Sequence, residues 1–297
     1  MKKIKVVLIG AGSESFGRGT VADLLSSKEL KETNLTISLV DIDKSRLDRM
    51  FHFAKLLKEY WHSNADIEAT TNRNEALEGA DYVITAVAVK RFELWDKDYY
   101  APFSFGFKHI FGENGGPGGA FHTIRSLHLM IPIAKDMEKI CPDALLINYT
   151  NPESRVCMGV KMLTNIRFVG LCHGAFSTLQ KVAQILGKSP EEIDITIGGL
   201  NHFHWVLEVH DKATGKDLHP DLHRRLNKSD IDLEPLTRVM YETFGLLPFP
   251  EDSHIGEYVS FAYETTGPLL RDFWRIIEKH PEYKDLVFPG EKILRVI

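Results

Sequence analysis

Along the chain, short β-branched apolar runs alternate with longer segments whose apolar residues recur at helical spacing, which is the pattern of an α/β protein. Residues 4–9 form the first such run, and Gly10-Ala11-Gly12-Ser13 follows it directly, ahead of a helix predicted over 16–28. A second strand over 35–40 ends in Asp41-Ile42-Asp43. Leu47, Met50, Phe51, Ala54 and Leu57 then recur at core spacing and predict a helix over 43–60. The next strands bracket 75–79, with 81–89 read as the fourth strand.

A polar and aromatic segment over 91–111 leads into Gly112-Glu113-Asn114-Gly115-Gly116-Pro117-Gly118-Gly119. Glycine at this density reads as a loop, mobile or closely approached, of the kind that covers active sites. A helix over 120–140 is expected to kink at Pro132. The stretch 145–205 then reads strand, turn, helix twice over, then strand and turn. Its turns carry Asn148-Tyr149-Thr150-Asn151-Pro152, Cys172-His173-Gly174 and Gly198-Gly199-Leu200-Asn201-His202-Phe203-His204. Polar clusters at the ends of apolar strands are what an α/β sheet presents where ligands bind. Beyond it, 206–210 reads as strand, 211–216 as a hairpin turn, and 233–244 as a helix closed by Gly245.

These elements predict a Rossmann-type doubly wound parallel sheet over 1–195, an NAD-binding domain, followed by a mixed α+β substrate and metal-binding region over 196–297. The formal net charge of -5 carries no clustered basic face, which argues against nucleic acid and for small-molecule chemistry. Cys141, Cys157 and Cys172 are an odd set without a pairing motif, so a reduced compartment is expected. The first apolar run is too short for a signal peptide or membrane span, and a cytoplasmic protein is expected.

Gly10 and Gly12 supply the first two glycines of a dinucleotide fingerprint, but its third position is Ser15, with Gly17 and Gly19 displaced beyond it. Asp41, at the end of the second strand, can accept hydrogen bonds from a ribose diol and repels a 2′-phosphate, so NAD is expected and not NADP. Cys172 and His202 sit at the ends of two neighbouring predicted strands, able to bring a thiolate and an imidazole to one divalent ion. Two protein ligands leave open positions, so such a metal would be catalytic and completed by vicinal hydroxyls of a substrate. His173, Asn201 and His204 are near enough to support the ligands or touch the substrate.

Gly10-Ala11-Gly12-Ser13, Asp41-Ile42-Asp43, Gly112-Glu113, Asn151-Pro152, Cys172-His173-Gly174 and Gly199-Leu200-Asn201-His202, taken in order, resemble glycoside hydrolase family 4. The resemblance implies hydrolysis by NAD through transient oxidation of sugar C3, loss of the C2 proton and elimination, outside the usual two-carboxylate scheme. It implies Mn2+ held by Cys172 and His202, NAD held by Gly10, Gly12, Ser13, Asp41 and Asn151, and Asn151 in contact with the substrate near C3. It also implies a catalytic set of Asn151, His173 and Asp252, with Asp252 removing the C2 proton. Asp252 also reads as a helix N-cap, His254 and Glu257 are alternative bases, and Tyr258 reads as packing.

The pair Cys172-His173 resembles the branch acting on unphosphorylated α-glycosides, an α-glucosidase, α-galactosidase or α-glucuronidase, and the family implies a homo-oligomer. Family members run well beyond this length, so either the sequence is a piece of a longer protein or it closes its cleft by other means. A malate- or lactate-type 2-hydroxy acid dehydrogenase would share the strand and glycine pattern but leave Cys172 without a role. A non-catalytic NAD-binding sensor would bind cofactor without metal.

Overall fold

The computed structural model describes residues 2–13, 16–228 and 231–266, so Ser15 and the final part of the expected substrate region, 267–297, lie outside the described residues. The strands are β1 Lys3–Ile9, β2 Asn34–Val40, β3 Asp66–Thr70, β4 Tyr82–Thr85, β5 Leu145–Asn148, β6 Arg167–Gly170, β7 Ile193–Leu200 and β8 Phe203–Asp211. The helices of the first half are α1 Phe16–Ser26, α2 Lys28–Lys31, α3 Lys44–Tyr60, α4 Arg73–Leu77, α5 Arg91–Ser104 and α6 Gly116–Ile140. Those of the second are α7 Glu153–Leu163, α8 Gly174–Leu186, α9 His219–Leu226, α10 Pro235–Phe244, α11 Asp252–Ile255 and α12 Ala262–Thr266. Among the described residues, no helix is long and apolar enough to cross a membrane.

The first compact unit comprises residues 1–95 and 119–172. Its six strands run in the order β3-β2-β1-β4-β5-β6, every neighbouring pair parallel. This is the Rossmann-type doubly wound sheet expected from the sequence. Alternation along β1 explains why both faces are covered. Val6 and Leu8 join Val21 and Leu25 of α1 and Leu47, Met50 and Ala54 of α3. Val7 and Ile9 join Met130, Ala134 and Met137 of α6 and Val156 and Val160 of α7. Each fully buried Leu, Val or Met contributes about 1.5–3 kcal/mol, which favours helices on both faces over an exposed one. The strand order reverses between β1 and β4, where such a sheet leaves a crevice at its carboxyl edge.

The second unit comprises 96–118 and 173–297, so its compact grouping takes in 173–195 as well as the expected substrate region. The reason is the apolar face of α8. Val182, Ala183, Ile185 and Leu186 pack with Ile193, Val206 and Val209 of the β7–β8 hairpin, Leu222 and Leu226 of α9, and Tyr241 of α10.

Several elements differ from their predictions. β4 ends at Thr85 and not at 89, because the Val87 N–H donates to Thr150 Oγ1 at 3.0 Å and leaves the ladder. The segment after it is helical as α5, with Trp95, Asp98 and Tyr99 buried at helical spacing. The glycine run is a loop only over its first half, since α6 begins at Gly116. Gly118 is there for close approach: a Cβ would stand 2.7 Å from Asp98 O and 2.9 Å from Gly112 Cα. Finally, β7 continues through Gly198 to Leu200 and pairs antiparallel with β8, so its turn is a hairpin tip and not the end of a parallel strand. Cys172 and His202 therefore do not sit at the ends of neighbouring strands of one sheet, for β6 and β7 belong to different sheets.

Candidate active site

The turn after β1 is shaped by contacts that glycine alone permits. Gly10 takes φ +89°, and a Cβ there would stand 2.3 Å from Ala86 O. Gly12 donates its N–H to Asp41 Oδ2 at 2.8 Å, and a Cβ there would meet that oxygen at 2.8 Å and Arg46 Cβ at 2.7 Å. The other Asp41 oxygen accepts the Asp43 N–H at 2.9 Å. Each oxygen keeps a second lone pair for a hydroxyl donor. Ser13 caps α1, its Oγ accepting the Phe16 N–H at 3.2 Å. The packing role of the third fingerprint glycine falls to Gly17, where a Cβ would stand 2.2 Å from Ala11 O. The turn fits a dinucleotide, with bare backbone before a helix and a carboxylate at the end of the next strand.

The carboxyl ends of β5 and β6 carry the other expected residues of this unit. Asn148 is buried, with Oδ1 accepting Thr85 Oγ1 at 3.1 Å and the Thr150 N–H at 3.0 Å, and Nδ2 donating to Thr150 O at 3.1 Å. That network fixes the backbone leading to Asn151, whose carbonyl accepts from Ser126 Oγ at 2.6 Å. The Asn151-Pro152 peptide bond is cis, and Pro152 is the N-cap of α7 and not its first helical residue. Cys172 follows β6, partly exposed and with no disulfide. Cys157 is a different case: burial, then the Glu153 carboxylate, push its thiol up to about 12, so it is inert.

In the second unit His202 occupies the tip of the β7–β8 hairpin at φ +59°. The left-handed region costs a residue with a Cβ about 1–2 kcal/mol, so the surrounding structure must hold it there. Tyr258 Oη donates to Asn201 O at 2.9 Å while its ring stacks on Phe203 at 5.0 Å, the packing role expected of Tyr258. The His202 ring is buried, stacked on Phe249 at 5.2 Å and met edge-on by His254 at 4.3 Å. Burial, with the neighbouring His254 and His204, depresses its pKa to about 3, so the imidazole is neutral and fit to be a metal ligand. His204 is likewise buried, and its Nε2 lies 2.9 Å from Thr178 Oγ1. Thr178 Oγ1 also donates to Gly174 O at 2.9 Å, and the Leu200 carbonyl accepts from the His204 ring, while burial lowers the His204 pKa. His173 precedes α8 and accepts the Ser177 N–H on its carbonyl at 2.9 Å.

Asp252 does not cap its own helix. Its Oδ2 accepts the Leu236 N–H at 2.7 Å, and its Oδ1 accepts the Thr237 N–H at 2.7 Å and Thr237 Oγ1 at 2.8 Å, so it caps α10. Its neighbour His254 is differently placed. Nδ1 lies 3.1 Å from Glu251 Oε2 and 2.8 Å from Ser253 Oγ. An ionised Glu251 accepts only, so Nδ1 carries the proton and Nε2 is the nitrogen able to take another. Burial opposes charge on His254, but the Glu251 hydrogen bond and the Glu251, Glu257 and Glu113 carboxylates together raise its pKa.

Glu257 has a role the sequence reading did not give it. Its Oε1 accepts the N–H groups of Glu113, Asn114 and Gly115 at 2.6, 2.8 and 3.2 Å, and its Oε2 accepts Asn114 Nδ2 at 3.0 Å. Gly115 is required because a Cβ would stand 2.0 Å from Glu257 O. The glycine run signalled a close approach, but nothing local named the partner. Among the described residues, no three His, Cys, Asp or Glu side chains gather to hold a metal by themselves.

Residues 5–188 match the family model described as "Family 4 glycosyl hydrolase", and residues 197–286 match its C-terminal domain. The chain is 34% identical to an alpha-glucosidase of Erwinia rhapontici, over 88% of this chain and 66% of that one. It is 31% identical to an alpha-galactosidase of Bacillus subtilis (strain 168), over 90% of this chain and 61% of that one. The chain thus spans less than two thirds of either relative. A solved structure of a 6-phospho-alpha-glucosidase from gut microorganisms, in complex with NAD and Mn2+, is similar in fold. Its TM-score is 0.77 at 24% identity, over 99% of this chain and 69% of that one. With both models matched in succession, the chain belongs to family 4 of the glycosyl hydrolases.

Proposed function

We propose that this protein hydrolyses unphosphorylated α-glycosides by transient oxidation and elimination, with NAD and a manganese ion as its cofactors. The observation that carries the reading is the Gly10–Gly12 turn closed on Asp41, a nucleotide cradle in a chain of a glycosidase family. A conventional glycosidase has no use for it. When bound, NAD supplies a reversible oxidation at sugar C3 that acidifies the C2 proton, and the metal supplies Lewis acidity at the neighbouring oxygens.

The residues then divide the work. Gly10, Gly12 and Ser13 offer backbone and a helix terminus to the pyrophosphate, and Asp41 accepts from the ribose hydroxyls. Asn151 orients the sugar near C3. Cys172 and His202 hold the metal, the neutral imidazole of His202 ligating without first losing a proton.

The family resemblance assigns the C2 proton to Asp252. The geometry favours His254, because Asp252 has both oxygens engaged with α10 while Glu251 leaves His254 Nε2 as the accepting nitrogen. His254 takes the C2 proton as the C1–oxygen bond breaks. After water has added, it returns a proton to C2.

The restriction to unphosphorylated sugars is supported by Cys172-His173 and by the alpha-glucosidase and alpha-galactosidase relatives. Phosphosugar glucosidases are also relatives, at 31% identity over 70–77% of this chain, so the restriction rests mainly on Cys172-His173. A cytoplasmic homo-oligomer completes the reading. Hydrolysis in D2O tests it: the released sugar carries deuterium at C2, and release without deuterium at C2 contradicts it.

A further inference from the structure

We propose that Arg46 gives the nucleotide turn a second ligand, NADP, by supplying the donors that meet a 2′-phosphate. This rests on the reading of the Gly10–Gly12 turn as a dinucleotide site, and it narrows the discrimination that Asp41 imposes without reversing it. Arg46 stands in the first turn of α3, whose N-cap is Asp43. A Cβ added at Gly12 would lie 2.7 Å from Arg46 Cβ and 2.8 Å from Asp41 Oδ2. The root of the Arg46 side chain and the carboxylate that accepts from the ribose therefore flank one point of the turn. A 2′-phosphate places its oxygens one ester bond beyond the position of the hydroxyl that Asp41 receives.

The Arg46 side chain is anchored at its stem and open at its fork. Asp43 Oδ1 accepts the Arg46 N–H at 3.0 Å, and Asp43 Oδ2 lies 3.4 Å from Arg46 Nε. Nη1 and Nη2 donate no hydrogen bond to any described residue, and the side chain is 55% exposed. Planar paired donors match phosphate oxygens two at a time. The other groups of this turn are committed further along α3. Lys44 Nζ donates to both oxygens of Asp48 at 3.0 and 3.1 Å, and Ser45 Oγ accepts from Arg49 Nη1 at 3.2 Å. The start of a 17-residue helix also favours an anion. Against these stand the charges of Asp41 and Asp43, so NAD remains the tighter ligand and NADP the weaker one. An arginine that only covers the surface, or stacks on adenine, treats the two nucleotides alike, since they differ only at the 2′ position.

The test is calorimetric titration of the whole chain with NAD and with NADP at one fixed ionic strength, in the wild type, R46M, R46K, D41S and D41S/R46M. R46M keeps an unbranched stem beside Gly12 and removes the charged fork. The wild type is expected to bind both nucleotides, NAD more tightly. R46M should weaken NADP about tenfold, the loss of one charge-assisted pair, and leave NAD within about twofold. R46K, a point charge without the fork, should fall between. D41S should raise the affinity for NADP, and most of that gain should disappear in D41S/R46M. Equal losses for both nucleotides in R46M, or no loss for either, overturn the proposal. So does a wild type that binds NAD but not NADP at millimolar concentration, which leaves the nucleotide reading standing. A wild type that binds neither overturns that reading together with the proposal.

Discussion

Asp252 grips Thr237 twice, its Oδ1 accepting the Thr237 N–H at 2.7 Å and Thr237 Oγ1 at 2.8 Å across fifteen residues of chain. A buried carboxylate engaged in this way supports the start of α10, and its removal leaves donors unmet. D252N is expected to lower stability by about 1–3 kcal/mol in urea denaturation. H254Q is expected to abolish deuterium exchange at C2 while folding normally. Unchanged stability in D252N together with lost exchange would instead make Asp252 the base.

The Glu257 carboxyl, raised to about 7 mainly by burial and then by Glu113, lies above its ordinary value of 4.5. A carboxyl raised on folding costs nothing while both states are protonated. It then destabilises progressively as pH climbs from the unfolded value through the folded one. The wild type should therefore lose stability relative to E257Q between about pH 4.5 and 7, with the difference level above that range. Urea denaturation of both at pH 5 and pH 8 reads this directly. Equal losses would show that Glu257 does not titrate as its surroundings require.

The nucleotide turn makes a graded prediction. G12A places a methyl group against Asp41 Oδ2 and Arg46 Cβ and is expected to weaken NAD binding about tenfold, about 1.4 kcal/mol. G19A, where no atom lies within 4 Å, should bind NAD as the wild type does. D41S removes the charge that repels a 2′-phosphate and should narrow the preference for NAD over NADP. Calorimetric titration of the three variants with both nucleotides checks the series, and a wild type that binds the two equally would remove Asp41 from the site.

The parallel half of the molecule is legible because its central strands β1, β2 and β4 are buried on both faces, which writes continuous apolar runs into the sequence, and because Gly10 and Gly12 answer to local geometry. Where the structure departs from the reading, the deciding contact is distant. The 198–205 stretch reads like a third strand end of the sheet, but a hairpin and a strand-to-helix turn share glycines, and only the pairing of β7 with β8 separates them. Asp252 before a helix suggests a local cap, whereas its partners lie fifteen and sixteen residues away in α10. Gly115 announces a close approach without naming Glu257, which is 142 residues further on. Spacing along the chain carries periodicity and turns, and it carries no information about such partners.

The central claim is tested most directly by hydrolysis of p-nitrophenyl α-glucoside, α-galactoside and α-glucuronide with dithiothreitol present, NAD and manganese being added together and each omitted in turn. The account predicts p-nitrophenol release on at least one sugar only when both are present, with no NADH accumulating. Release that persists without NAD, or net formation of NADH without release, would contradict it.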